Sequence, residues 1–196
     1  YVNLFIGSTI DVGKVAGTSL EVIQQTDYPW SGKVALLLNP EEEKEFTVFI
    51  RVPDRTTSLL YTPVPEVKGL ERISVNGEDV PIKVDNGYAE VRRKWKAGDR
   101  IDFEIPLEIQ TITADDRIVA DRGHIALRYG PLVYNTECAD QPDIDKHSGS
   151  APFKAVWRED LLGGVMVING NWSDGSVLTA IPNYARNNRN KTGFTY

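Results

Sequence analysis

The feature that most constrains this chain is a hydrophobic period of two. In Glu45-Phe46-Thr47-Val48-Phe49-Ile50-Arg51-Val52 the side chains of Phe46, Val48, Ile50 and Val52 fall on one face of an extended backbone. No window of a dozen residues carries the i, i+3, i+4, i+7 apolar pattern of a helix. Pro53 ends the run, because proline has no N–H to give to a ladder. Comparable runs predict strands over 19–25, 33–39, 72–75, 88–92, 100–105, 124–129, 132–136, 165–168 and 176–181, and the opening residues 1–6 also read as extended. Between them, Asn76-Gly77, Asp85-Asn86-Gly87 and Ala97-Gly98-Asp99 supply residues that tolerate positive φ in tight turns. Hairpin-length joints favour antiparallel meanders and Greek keys, so the expected class is all-β.

The 196 residues allow one large domain or two small ones. At roughly 10 to 12 residues per strand and turn, the chain holds about 15 strands, more than a single sandwich uses. Two antiparallel β-sandwich units of jelly-roll or Ig-like type in tandem are the simpler expectation. A long loop is predicted over 137–152, rich in Asp, Pro and Gly, and an irregular stretch over 183–193.

Charge and cysteine content narrow the function. With 28 acidic and 22 basic side chains the net charge is −6, and the basic residues cluster only at Arg92-Arg93-Lys94, which excludes a nucleic-acid footprint. There is no run of 18 apolar residues to cross a membrane as a helix. The single cysteine, Cys138, excludes an intrachain disulfide and a cysteine-rich metal site. The first residue is Tyr1, without a leader, and the last are Phe194-Thr195-Tyr196; both ends read as interrupted strands, so the chain is expected to be part of a longer polypeptide.

Candidate chemistry is thin. Asp115, Asp116 and Asp121 supply the residue type of a glycosidase carboxylate pair, yet Asp115-Asp116 fits a charged turn better. Asp140, Asp143 and Asp145 could offer oxygens to calcium, but the spacing is not that of an EF-hand and a solvated acidic loop is the better reading. His124, expected inside a strand, and His147, expected exposed, are the only histidines available to a zinc site or a triad. Cys138 lacks a basic neighbour in sequence to activate it and reads as a structural thiol. Among Trp30, Trp95, Trp157 and Trp172, Trp172 is the one expected to be exposed and able to contact a sugar ring; Trp30 and Trp95 are expected to pack. The sequons at Asn171-Trp172-Ser173 and Asn190-Lys191-Thr192 read as chance matches.

Several of these stretches occur in an order that resembles one family. The succession Tyr1-Val2-Asn3-Leu4-Phe5-Ile6-Gly7-Ser8, Gln25-Thr26-Asp27-Tyr28-Pro29-Trp30-Ser31-Gly32, Ile50-Arg51-Val52-Pro53, Val75-Asn76-Gly77, Gly87-Tyr88, Arg93-Lys94-Trp95-Lys96-Ala97-Gly98-Asp99 and Arg128-Tyr129-Gly130-Pro131-Leu132-Val133-Tyr134 is similar to the C-terminal region of the β-L-arabinofuranosidase-type glycoside hydrolases, family 127 and its relatives. The closing Leu178-Thr179-Ala180-Ile181-Pro182-Asn183-Tyr184-Ala185-Arg186-Asn187-Asn188-Arg189 resembles the family's last β-region. Asp54-Arg55 after Pro53, and Asn183 and Arg186 near the end, depart from the family's usual aromatics.

The resemblance implies an (α/α)6 catalytic barrel followed by two β-sandwiches, with zinc and a cysteine nucleophile on the barrel. Carried over to this sequence, it implies a first sandwich over 13–118 and a second, discontinuous one from 1–12 plus 119–196. No catalytic, cofactor or metal residue is carried onto this chain. The implied role is a non-catalytic support for the barrel in an enzyme of bacterial plant-glycan breakdown, in the periplasm or cytoplasm. The barrel itself, a second copy and plant-derived oligosaccharide are the implied partners. A carbohydrate-binding module and an Ig-like adhesion module are the competing expectations.

Overall fold

The computed structural model describes residues 1–149 and 152–188. In chain order the strands are β1 (Ser8–Val15), β2 (Thr18–Thr26), β3 (Lys33–Pro40), β4 (Lys44–Arg51), β5 (Asp54–Arg55), β6 (Tyr61–Val64), β7 (Val67–Lys68), β8 (Arg72–Val75) and β9 (Glu78–Asp79). They continue as β10 (Val84–Asp85), β11 (Tyr88–Trp95), β12 (Asp99–Glu104), β13 (Ile109–Ala114), β14 (Ala126–Tyr129), β15 (Leu132–Thr136), β16 (Lys154–Arg158), β17 (Val165–Asn171) and β18 (Val177–Pro182). Among the described residues helical structure is confined to two single 3-10 turns, Val119–Asp121 and Asn183–Ala185. The class is all-β, with every strand pair antiparallel.

Two compact units share the chain. The first comprises Tyr1–Arg55 and Val67–Leu107, the second Thr56–Glu66 and the described residues from Glu108 onward. Both units are discontinuous, and their boundaries differ from the expected 13–118 against 1–12 plus 119–196. Residues 1–12 belong to the first unit for three reasons. Phe5 is buried edge-to-face against Tyr28 and Phe103, Gln24 Nε2 donates to the carbonyls of Leu4 and Ile6 at 3.0 and 2.7 Å, and β1 pairs along β2. The segment that crosses is Thr56–Glu66, whose β6 pairs with β13. Residues 1–6 themselves form no strand; Val2 makes an isolated bridge to Ile50.

In the first unit a six-stranded sheet, order β1-β2-β3-β12-β8-β9, and a three-stranded sheet, order β10-β11-β4, share one core. The alternation in β4 dictates its place there. Its register sets Val48 against Val91 and Ile50 against Ala89, four buried side chains on one face. A slip of one residue would turn all four outward. The hairpins β8–β9 and β10–β11 close on Asn76-Gly77 and Asn86-Gly87, with positive φ at both positions, the conformation that matches strand twist and selects Asn-Gly.

The second unit is one seven-stranded sheet, order β16-β17-β18-β15-β14-β13-β6. A core of Leu127, Tyr134, Ile144, Ile168, Trp172, Leu178 and Ala180 forms within this unit. Ile144 comes from the loop predicted over 137–152, so that loop closes over apolar side chains instead of extending into solvent.

Candidate functional site

Of the candidate carboxylates, that of Asp115 is engaged by Arg117. Asp115 Oδ1 accepts from Arg117 Nε at 2.7 Å and from the Arg117 backbone N–H at 2.9 Å, and the guanidinium holds this carboxyl below its ordinary pKa. Asp121 lies in the 3-10 turn, where its carbonyl accepts the His124 N–H at 3.1 Å. In the acidic loop, Asp143 Oδ1 caps the Asp145 N–H at 3.0 Å. Among the described residues no three His, Cys, Asp or Glu side chains converge as a metal site requires.

The histidines sit on one cleft. His124 precedes β14 instead of lying within it, because Arg122 and Gly123 form a turn there, and its ring Nδ1 lies 3.1 Å from the Arg122 carbonyl. His147 is exposed in the long loop, as expected. Both line a cleft of about 560 Å³ in the second unit, whose apolar wall includes Leu127, Phe153 and Leu178.

Trp172 departs from expectation. It is only 6% exposed, which removes the open stacking platform the sequence suggested. Its burial follows from the long loop. Gly149 N donates to Asn171 O at 2.8 Å, Ser173 N to His147 O at 2.9 Å, and Ser148 bridges Trp172. A side chain at Gly149 would sit 2.6 Å from the Asn171 carbonyl oxygen, so glycine permits this approach. Lys146 Nζ fastens the loop further, 2.8 Å from Asp174 Oδ2; that hydrogen bond raises the lysine and lowers the carboxyl from their ordinary pKa values.

The remaining tryptophans divide. Trp95 is fully buried in the first core and Trp30 is half-buried, in keeping with packing roles. Trp157, on the edge strand β16, is 43% exposed. The sequon at Asn190 lies outside the described residues, as do the closing Phe194-Thr195-Tyr196.

The sequence comparisons decide the family. Residues 1–107 match the model of the β-L-arabinofuranosidase GH127 middle domain, and residues 109–195 that of the glycoside hydrolase family 127 C-terminal domain. The chain belongs to glycoside hydrolase family 127. It resembles a GH127 β-L-arabinofuranosidase from Geobacillus stearothermophilus T6, with 30% identity, a TM-score of 0.83, and coverage of 98% of this chain but 32% of that one. A second solved GH127 β-arabinofuranosidase gives 28% identity and a TM-score of 0.83 over 96% of this chain and 33% of its own. The non-reducing end β-L-arabinofuranosidase of Bifidobacterium longum subsp. longum is 27% identical over 176 residues, 84% of this chain and 24% of the relative.

The family 127 match covers middle and C-terminal domains, and the chain spans between a quarter and a third of these relatives. The residues present do not fit the zinc site that the family resemblance implies for the barrel. Cys138 is the one cysteine, half-buried beside the second core, within the part matched to the C-terminal domain.

The cleft around Trp172 was not foreseen as a unit. Its parts come from β14, β15, the β17–β18 hairpin and the long loop, and no spacing in sequence links them.

Proposed function

We propose that this chain is the non-catalytic β-region of a family 127 glycoside hydrolase acting on arabinose-containing plant glycans, and that it braces an (α/α)6 catalytic barrel. The observation that carries this reading is the paired match to middle and C-terminal domain models across essentially the whole chain. Exposed apolar side chains support it. Tyr1, Leu4 and Ile6 in the first unit, and Leu59, Leu60 and Val64 in the second, are all 60% or more exposed, an arrangement suited to cover by another domain. A zinc-bearing barrel and a second copy of the polypeptide are the partners this reading assigns.

The test is a chimera. This chain replaces the corresponding β-region of the Geobacillus stearothermophilus relative, and hydrolysis of 4-nitrophenyl β-L-arabinofuranoside is compared with that of the barrel left without any β-region. The chimera is expected to be soluble and active, and the bare barrel unstable. A bare barrel as stable and active as the chimera would contradict a bracing role.

A further inference from the structure

The sequence contains three Asn-Gly dipeptides, Asn76-Gly77, Asn86-Gly87 and Asn169-Gly170, and the fold sets them in three different environments. Asparagine before glycine is chemically labile. The backbone nitrogen of the glycine can reach the side-chain amide carbon of the asparagine, since glycine has no Cβ to obstruct the approach. The two atoms must rotate into contact, so in a folded chain the rate follows how readily the local backbone opens.

Asn169 lies inside β17, paired on one side with Lys154 of β16 and on the other with Thr179 of β18, and a Cβ on Gly170 would meet the Phe153 ring at 2.6 Å. That backbone turns only if two ladders part. Asn76 and Asn86 occupy like positions in two-residue hairpin turns, between Val75 and Glu78 and between Asp85 and Tyr88, where the glycine N–H belongs to no ladder. Their side chains differ. Asn76 is held at both amide atoms, by the Asp99 carboxylate and by the Arg100 N–H, and its own backbone N–H is bonded to the Arg100 carbonyl. It also follows Val75, which is buried in the first core. Asn86 instead donates to Asp85 Oδ2 of the adjacent residue, at 3.1 Å, and residues 84–87 are all exposed. β10, which leads into this turn, is two residues long at the edge of the three-stranded sheet and pairs with β11. The Val52 N–H bonds Gly87 at 2.8 Å, but it engages the carbonyl and not the reacting nitrogen.

We propose that Asn86 is a site of spontaneous covalent modification, deamidating through attack by the Gly87 backbone nitrogen with water as the co-reactant, while the fold protects the same dipeptide at Asn76 and Asn169. The Gly87 nitrogen bonds to Asn86 Cγ, the Cγ–Nδ2 bond breaks, and Nδ2 leaves as ammonia with the proton given up by the Gly87 N–H. Water then opens the succinimide ring. Addition at Cγ yields aspartate, and addition at the backbone carbonyl yields isoaspartate, with the main chain rerouted through Cγ. Either product places a second carboxylate beside Asp85, and isoaspartate lengthens a two-residue turn whose positive φ values select Asn-Gly. The inference stands apart from the bracing role, since neither barrel nor glycoside cleavage enters it.

The experiment incubates the 196-residue chain in mildly alkaline buffer made with heavy-oxygen water, which marks each newly formed carboxyl, and locates the label by peptide mapping with mass spectrometry. Label should accumulate at position 86 about tenfold or more faster than at 76, and should stay at background at 169. In concentrated urea, where the three environments are lost, the rates should converge. Asn86→Asp has no amide to lose at this position, so it should not develop most of the acidic species that incubation produces in the parent chain on ion exchange. Isoaspartyl methyl transfer to the digested parent should detect isoaspartate in the peptide containing position 86. Equal rates at 76 and 86 in the folded chain, or faster labelling at 76 or 169 than at 86, would overturn the inference. So would a preference for 86 as large in urea as in buffer, since neighbouring residues and not the fold would then set it.

Discussion

Asn76 Nδ2 donates to Asp99 Oδ1 at 2.9 Å, joining two tight turns that lie 23 residues apart in the chain. Asp99 Oδ2 also accepts the Lys96 N–H at 3.0 Å, and Asn76 Oδ1 accepts the Arg100 N–H at 2.8 Å. Asp99 thus closes its own turn, while Asn76 holds both the Asp99 carboxylate and the start of β12.

This linkage makes stability depend on acid. Burial alone would raise the Asp99 pKa, but the hydrogen bonds from Lys96 and Asn76 and the charges of Arg93 and Lys96 outweigh it and hold it below its ordinary value of 3.8. A depressed folded pKa stabilises the fold above the unfolded value, and the gain is lost as pH falls from there through the folded pKa. Asp99→Asn should therefore be less stable than the parent at pH 7, by about 1–3 kcal/mol, and the difference should shrink below about pH 4. Urea denaturation across that range checks both points; a difference that does not change with pH would contradict the linkage.

Trp95 is fully buried, and its indole Nε1 donates to the Phe46 carbonyl across the β4–β11 pair at 2.9 Å. Trp95→Phe keeps an aromatic ring but loses that bond and part of the packing. The expected loss is about 1–3 kcal/mol in chemical denaturation. An unchanged midpoint would show that the bond contributes nothing.

Gly32 lies against the backbone of Ile105: Ile105 N donates to Gly32 O at 2.9 Å, and a Cβ on Gly32 would come within 1.9 Å of the Ile105 carbonyl oxygen. No rotamer relieves a clash with backbone. Gly32→Ala should destabilise by about 3 kcal/mol, the upper part of the overpacking range, and thermal melting measures it.

Gln141 connects the long loop to β18, donating to Thr179 O at 3.1 Å and accepting Thr179 N–H at 2.9 Å. Gln141→Ala leaves two backbone groups of Thr179 without that partner. A loss of about 1–3 kcal/mol is expected, with faster hydrogen exchange at Thr179 than in the parent chain. Unchanged exchange there would refute the role.

The strands that sequence revealed are those with one buried face. β4 shows its alternation because Val48 and Ile50 face a core, and residues 72–75 and 132–136 match β8 and β15 from end to end. β1 gave no such signal, since Ile10 and Val12 are both exposed and its hairpin turns on Ala16-Gly17, where the first residue is not a usual turn former. β6 was hidden by Pro63 and by Pro65 just beyond it. Proline argues against a central strand, but β6 is an edge strand, where a missing N–H is tolerated. The passage of Thr56–Glu66 into the second unit follows from that pairing and has no local marker. For the cleft, sequence supplied Trp172 and both histidines as separate residues. The burial of Trp172 depends on a loop more than twenty residues away in sequence closing over it, a tertiary relation that no period encodes.

The proposed bracing role places glycosidic bond cleavage outside these 196 residues. The direct measurement is release of 4-nitrophenol from 4-nitrophenyl β-L-arabinofuranoside by the purified chain, with and without added zinc. The rate is expected to equal the protein-free blank in both conditions. Saturable turnover that co-purifies with the chain and disappears in Cys138→Ser would contradict it.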